Sequence, residues 1–258
     1  MSTTPIYLSA CTILDNTGIH TSGGSTPWNP DQNGPVEITR PQVLSTPYRA
    51  FGKLNLPDKL AFSVASLTLQ ECFIVNPETT GIFLGIPFGS MSTDHLYLQS
   101  IEEGSPSPAL FSATLPSSAV TDIAIYYQLK GPNMVFSGGT SPLLSAIEGA
   151  LHALLERKTS GALVILVEET TGENNLQSLP PFAAALYLSS EQSPVSVAPL
   201  CTYLYSDNEP VTPKPSGFDR TLITSLLEKL REKESGQLAV PVSGFRGYIS
   251  LQYTGKDP

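Results

Sequence analysis

Continuous apolar runs alternate along this chain with stretches in which apolar residues recur at helical spacing. The strand-like stretches are Ile6–Leu14, Thr79–Ser90, which runs into a Gly-rich turn, Ser160–Glu169 and Pro180–Ser190. Because apolar positions follow one another without polar alternation, these strands are expected to be buried on both faces. Strand alternating with helix predicts an α/β fold, a single layered βαβαβαββ-type domain. Its sheet is expected to be mostly parallel, with helices on both faces.

The helical stretches between these runs have clear apolar stripes. The stretch that begins at Pro57 predicts a helix with Leu60, Ala61, Val64, Leu67 and Phe73 on its buried side. A later stretch predicts a second buried face, formed by Leu144, Ile147, Leu151, Leu154 and Leu155.

The domain prediction covers residues 1–258 as one unit. Residues 15–48 are rich in Gly, Pro, Ser and Asn, which predicts an irregular surface insertion. Residues 216–258 predict a helix with Asp219 as its candidate N-cap, followed by one or two closing strands.

Composition narrows the function classes. The 258 residues carry 14 Lys and Arg against 23 Asp and Glu, a net charge of −9, which disfavours binding to nucleic acid or to anionic membranes. No apolar run is long enough to span a bilayer, and the N-terminus lacks the basic region of a secretion signal, so a cytoplasmic protein is expected. Cys11, Cys72 and Cys201 have no metal or redox spacing and are predicted to be buried free thiols. No metal or cofactor is predicted.

The stretch from Lys130 to Leu155 predicts a buried strand, a tight turn and an amphipathic helix. This arrangement often holds a nucleophile at the start of a helix, yet the turn contains Ser137, Gly138, Gly139 and Thr140 and no cysteine. A serine or threonine nucleophile needs a base within hydrogen-bond reach, and none is evident nearby. Thr140 is therefore interpreted as a helix cap, and the two glycines as residues that permit a sharp turn.

Glu168 and Glu169 end the strand that follows this helix. They could form an acid pair, although charged residues at a strand end more often mark the exit to solvent. The preceding "GIPFGS" loop lacks a phosphate-binding glycine pattern, so nucleotide binding is not predicted.

Several motifs, in this order, resemble the N-terminal half of a β-ketoacyl synthase, a thiolase-fold condensing enzyme. "GIFLGIPFGS" resembles that family's "GVxxGTGxGS" element, "FSGGTSPLLSAIEGA" lies where the family has "DTACSSSLVAL", and "GALVILVEE" resembles the next strand. The resemblance places Thr140 at the family's cysteine, or Gly139 if the alignment shifts by one residue, and neither is a thiol. His20, His95 and His152 do not lie in motifs like those of the family's two catalytic histidines.

This resemblance implies a non-catalytic subunit similar to a chain length factor, above all to the short ones of aryl-polyene-type pathways. Its implied partner is an active β-ketoacyl synthase in a heterodimer for fatty acid or polyketide elongation. Acyl carrier protein would interact with this chain only indirectly, because it would bind the ketosynthase partner. Two alternatives stay open, a degenerate acyltransferase or hydrolase that uses Thr140 or Ser137, and a homodimeric acyl-binding scaffold.

The resemblance also implies where such a partner would bind. In the thiolase fold the strand equivalent to "NMVFS" pairs with its counterpart in the other subunit, and the loop "PALFSATLPSS" lies at the same interface. Phe111, Leu115, Met134 and Phe136 are thus the candidate interface and acyl-tunnel residues. Core packing is the alternative role for these side chains.

Overall fold

The computed structural model of the protein describes residues 6–29, 31–32, 34–138, 141–169, 180–191, 198–200, 202–204, 218–232, 236–241 and 248–253. The strands in these ranges are β1 Ile6–Leu14, β2 Gly18–Thr21, β3 Gly24–Pro27, β4 Thr80–Ile86, β5 Asn133–Ser137, β6 Gly161–Glu168, β7 Phe182–Ser189, β8 Ala198–Leu200, β9 Thr202–Leu204, β10 Gly236–Pro241 and β11 Tyr248–Tyr253. The α-helices are α1 Arg40–Val43, α2 Leu56–Glu71, α3 Met91–Glu102, α4 Pro108–Ala113, α5 Ser118–Tyr127, α6 Pro142–Leu155 and α7 Phe218–Glu232. Three short 3₁₀ helices are also present in the described ranges, at Gly34–Glu37, Phe51–Lys53 and Pro77–Thr79.

The main sheet has the strand order β3-β2-β1-β7-β6-β4-β5, and β8 pairs with the first residues of β1. β4 is parallel to its neighbours β5 and β6, whereas the other described pairs in this sheet are antiparallel. β9, β10 and β11 form a separate antiparallel sheet. The predicted α/β fold is confirmed, but the sheet is mixed, which corrects the expectation that most of it is parallel.

β1 and β7 show why continuous apolar runs did not predict the directions of the strands. β7 is buried along its whole length, and β1 is buried at all but one of its positions, yet the two strands are antiparallel. A continuous apolar run reports that both faces of a strand are covered, and helices can cover an antiparallel pair as well as a parallel one.

Helices cover both faces of the main sheet, as predicted. α2 and α5 pack on one face together with the apolar side chains of Ile82, Leu84 and Ile165. α6 and α7 pack on the opposite face, against Phe83, Val164 and Leu166. The alternation of side chains along β4 and β6 therefore divides the interior into two apolar clusters, one on each side of the sheet.

Residues 15–48 are more regular than expected. β2 and β3 extend the main sheet from β1, and α1 follows shortly after them. Ile38, Val43 and Phe51 are nearly inaccessible and join the cluster around α2. The sequence did not reveal β2 and β3, because both strands are short and polar and their conformation depends on pairing with β1.

α2 is confirmed, and its start follows ordinary capping rules. The Asn55 side chain accepts a hydrogen bond from the amide of Asp58 at 2.9 Å, and Pro57 occupies the first turn. The helix ends at Glu71, so Phe73 lies beyond it and is 64% exposed, contrary to its predicted burial. Leu155 is also exposed, because it is the last residue of α6.

A buried carboxyl group lies in the first turn of α2. Asp58 is only 4% exposed, and the Ser118 hydroxyl at the start of α5 donates to its two oxygens at 2.9 and 2.8 Å. Burial raises the pKa of Asp58 to about 7, and the negative charges of the nearby acids Asp122 and Glu169 raise it further. The hydrogen bond from Ser118 acts in the opposite direction and lowers the pKa.

Asp58 should therefore make the protein less stable as the pH rises. A carboxyl group whose pKa is higher in the folded than in the unfolded chain stabilises the folded protein at low pH. This stabilisation is lost as the pH rises from the pKa of the unfolded chain to the pKa of the folded protein. We expect the free energy of unfolding to fall by up to about 1.4 kcal/mol per pH unit between about pH 4 and pH 7. Urea denaturation across this range should show that Asp58→Asn removes this slope, while Asp94→Asn, at an exposed acid of α3, keeps it. An unchanged slope in Asp58→Asn would contradict the assignment.

The cysteines follow the prediction in part. Cys11 is fully buried in β1, and burial raises the pKa of its thiol. Cys72 is free but only partly buried, and the pKa of its thiol is raised to about 12, mainly by burial. Cys201 lies outside the described residues. None of the helices in the described part of the chain has the length and apolar character to cross a membrane.

Candidate functional site

The predicted strand and helix are present as β5 and α6, but none of the residues of β5 is buried, contrary to the prediction of a buried strand, because β5 is an edge strand. β5 runs parallel to β4 at the edge of the main sheet, and α6 follows after a short turn. Gly138 in this turn has a φ of +74°, and a Cβ atom there would meet no neighbour, so its backbone conformation accounts for the glycine. Gly139 and Thr140, the residues of greatest interest in the prediction, lie outside the described residues.

The start of α6 is capped by a side chain from α7. Ser141 is the N-cap residue of α6, and its hydroxyl donates to Oδ1 of Asp219. The amide of Leu143 donates to Oδ2 of the same carboxylate at 3.0 Å. Asp219 and Ser141 are only 5% and 4% exposed, so this contact is inside the protein. Asp219 was predicted to cap its own helix, but α7 begins one residue earlier, at Phe218.

This contact places a carboxylate at the positively charged N-terminal end of α6. The N-terminus of a helix carries a partial positive charge and unpaired amides, and it attracts an anionic group. Here the carboxylate of Asp219 satisfies the amide of Leu143 and supplies the negative charge. A catalytic anion at this helix end would have to share that field with a buried carboxylate.

Ser137 is placed poorly for nucleophilic catalysis. It is exposed at the end of β5, and among the described residues no histidine is hydrogen-bonded to it. His95 is exposed on α3, and His152 is exposed on α6. His20 lies on β2, where its ring nitrogens contact Asp15 at 3.2 Å and Ser25 at 2.9 Å. The described part of the chain also contains no group of three His, Cys, Asp or Glu residues suited to hold a metal ion.

β5 and α6 form an open groove of about 520 Å³ at the edge of the sheet. Met134 is 45% exposed in this groove, and Phe136 is partly buried against α6. Gly149 makes this packing possible, because a Cβ atom there would lie 2.7 Å from Cζ of Phe136. β5 has no strand on its outer side within the described residues. The sequence did not connect the groove with the polar residues that also line it, namely Ser145, Glu148, His152, Glu156 and Lys158.

The second predicted interface segment is a pair of helices with exposed apolar residues. Phe111 on α4 is 59% exposed and lies against Tyr97 of α3, with ring centroids 5.4 Å apart. Leu115, just after α4, is 60% exposed. Other exposed apolar side chains lie on α3 and in the turn before it, namely Phe88, Met91, Leu96, Leu98 and Ile101. Core packing, the alternative role for Phe111, Leu115 and Met134, does not describe these positions.

The two acids at the end of β6 do not mark an exit to solvent. Glu168 forms an ion pair with Arg220 of α7, and the guanidinium of Arg220 lies 4.7 Å from the ring centre of Phe182. Glu169 is only 5% exposed and accepts hydrogen bonds from the amide, at 2.9 Å, and the hydroxyl of Ser92. Both acids thus connect the strand end to helices, because each has a fixed donor nearby. They do not form an acid pair with each other.

The fold of this chain is similar to that of solved structures, but its sequence matches no family model and no curated protein. One chain of the complex between the ketosynthase ApeO and its chain length factor ApeC from Xenorhabdus doucetiae is similar in structure. The TM-score is 0.62 at 16% identity, over 98% of this chain and 100% of that chain.

Two further solved structures give the same result. The ishigamide ketosynthase/chain length factor matches with a TM-score of 0.60 at 16% identity, over 76% of this chain and 65% of that one. A type II polyketide synthase complex, AntDE:AntF, in which an acyl carrier protein is bound to its ketosynthase, matches with a TM-score of 0.66 at 11% identity, over 98% and 100% of the two chains. The mixed sheet with helices on its two faces is thus an α/β fold similar to that of chains in these ketosynthase complexes.

Proposed function

We propose that this protein is a non-catalytic, chain-length-factor-like subunit that pairs with an active β-ketoacyl synthase. The observation that carries this proposal is the capping of α6 by Asp219. In a condensing enzyme this helix end supports a nucleophilic cysteine thiolate, and a lowered thiol pKa depends on the positive field there. A buried carboxylate at the same helix end opposes the formation of a second anion.

The edge of β5 supports the pairing. An edge strand presents unpaired amides and carbonyls that can accept another strand, and exposed apolar side chains beside it favour burial in an interface. Met134 and Phe136 lie on this strand, and Phe111 and Leu115 are exposed on the segment around α4. These side chains would contact the ketosynthase and contribute to the wall of its acyl tunnel.

The neighbours point to the kind of partner. Two of the similar structures are ketosynthases with their chain length factors, and a third includes an acyl carrier protein bound to its ketosynthase. By analogy, this subunit would limit or permit the length of a polyketide or fatty acyl chain, as in aryl-polyene-type pathways, inside the cytoplasm. The carrier protein would bind the ketosynthase subunit.

Co-purification tests this proposal directly. The protein is co-expressed with whichever β-ketoacyl synthase is encoded nearest to its gene, and the complex is measured by size-exclusion chromatography with light scattering. We expect a one-to-one heterodimer. Met134→Asp should weaken it by at least about tenfold, because a charge would be buried at the centre of the interface.

A matched variant separates an interface effect from a general loss of solubility. Phe73→Asp places the same charge at another exposed apolar residue, after α2, whose main contacts are with β1, β6, β7 and α5. We expect Phe73→Asp to bind like the wild type. A wild-type protein that ignores the ketosynthase and forms a stable homodimer would overturn the proposal and favour the acyl-binding scaffold. Acylation of Ser137 or Thr140 would favour the degenerate enzyme.

A further inference from the structure

One segment of this acidic chain has a local excess of positively charged residues over acidic ones. Residues 38–59 contain four of its 14 Lys and Arg residues, Arg40, Arg49, Lys53 and Lys59. The acid within this range is Asp58, which is buried and bonded to Ser118. The segment is therefore locally positive although the whole chain has a net charge of −9, and the overall composition does not show this.

Three of these cations line the same pocket. Arg40, Arg49 and Lys59 surround an open cavity of about 290 Å³. Its other lining residues are Ile38, Thr39, Pro41, Phe51 and Gly52. Its volume lies at the lower end of the range of about 300 to 1,000 Å³ that is typical of small-molecule pockets. Its size and charge suit a compact anionic group.

The wall of the pocket is already ordered by contacts within the chain. The Gln42 side-chain oxygen accepts from the amide and the hydroxyl of Thr39, at 2.7 and 2.8 Å, and its Nε2 donates to Gln32 at 3.0 Å. The floor residue Phe51 is 2% exposed and packs edge-on against Phe62 of α2, with ring centroids 5.9 Å apart. A ligand would thus enter a preformed site and would not have to order it, which favours binding.

The charges around the pocket are not balanced by ion pairs within the described residues. There, Lys130, Lys158 and Arg220 each form an ion pair with a glutamate, whereas Arg40, Arg49 and Lys59 form none. Like charges around one cavity repel each other, and a bound anion would relieve this repulsion. Guanidinium groups also bind the oxygens of a phosphate with paired hydrogen bonds, which favours phosphate over a simple halide.

We propose that the pocket of Arg40, Arg49 and Lys59 binds a phosphate group. The group is either free inorganic phosphate or the phosphate of a larger ligand, whose remainder would extend through the open side of the cavity. This site is separate from the turn at α6, and it does not depend on the pairing with a ketosynthase proposed above.

Calorimetric titration of the purified full chain with inorganic phosphate tests the proposal. Sodium chloride at matched ionic strength controls for screening. We expect saturable binding of phosphate, and a loss of affinity of at least about tenfold in Arg49→Gln and in Lys59→Gln, because each removes a charged hydrogen-bond donor. Lys130→Gln removes the same charge from an exposed lysine paired with Glu78, and it should bind phosphate like the wild type.

Two further ligands identify the source of the phosphate. Phenyl phosphate, a monoester, and diphenyl phosphate, a diester, are titrated in the same way. Tighter binding of either ester than of inorganic phosphate would assign the site to a larger ligand, and tighter binding of the free ion would assign it to phosphate itself. The absence of saturable binding to all three, or an equal loss in Lys130→Gln and Arg49→Gln, would overturn the proposal.

Discussion

Replacing Asp219 with alanine is expected to lower the free energy of unfolding by about 3 kcal/mol. The carboxylate receives hydrogen bonds from the Ser141 hydroxyl and the Leu143 amide, and it joins α7 to the start of α6 inside the protein. The alanine variant leaves both donors buried and unpaired, and it removes a negative charge from the positive end of α6. Urea denaturation followed by circular dichroism measures the loss.

Two variants show whether the cap itself is responsible. Glu228→Ala removes an exposed acid from the same helix, α7, and should change the stability by less than about 0.5 kcal/mol. Ser141→Ala and the double variant complete a thermodynamic cycle, in which we expect a coupling of at least about 1 kcal/mol between Ser141 and Asp219. Additive effects of the two single substitutions would show that the hydrogen bond contributes little.

The second large effect is expected at Gly85, where β4 passes directly beneath α6. A Cβ atom on Gly85 would lie 2.7 Å from the carbonyl carbon and oxygen of Pro142 and 2.9 Å from the nitrogen of Leu143. All three are backbone atoms, so Gly85→Ala can be accommodated only if the start of α6 moves away from the sheet. We expect a loss of about 3 kcal/mol or more in the free energy of unfolding.

Gly24→Ala is the matched control, because Gly24 also lies in a strand but a Cβ atom added there would have no neighbour within 4 Å. We expect that variant to stay within about 0.5 kcal/mol of the wild type. If Gly85→Ala were equally stable, the close contact between β4 and α6 would not be a constraint on the fold. Because the start of α6 lies next to the turn after β5, the Gly85→Ala variant should also bind the ketosynthase more weakly.

The candidate site was predictable only in outline. The order of apolar strand, glycine turn and amphipathic helix identified β5 and α6, since those patterns are local, although the exposure of β5 at the sheet edge was not visible in them. The residues that cap α6 could not be found in this way. Asp219 and Ser141 are 78 positions apart, and the local sequence around Asp219 is equally compatible with capping its own helix.

The surface residues could likewise be found in the sequence, but their arrangement in space could not. The resemblance to β-ketoacyl synthases implied an interface role for Phe111, Leu115 and Met134, but apolar composition alone is compatible with either core or surface. Their exposure depends on where α3, α4 and β5 lie relative to the sheet. The local excess of Arg and Lys over acids in residues 38–59 was visible in the sequence, while the convergence of three of them on one pocket required the fold of that segment.

The sequence by itself determined the α/β class, the buried strands and the main helices, because periodicity directly reflects which faces are covered. Tertiary structure decided the mixed strand directions, the conformation of residues 15–48, the cap at α6 and the basic pocket. The strand directions and the cap at α6 depend on contacts between segments far apart in the chain, whereas residues 15–48 and the basic pocket depend on how nearby segments fold onto β1 and α2. A local pattern specifies how much of a residue is buried, but it does not specify which distant residue buries it.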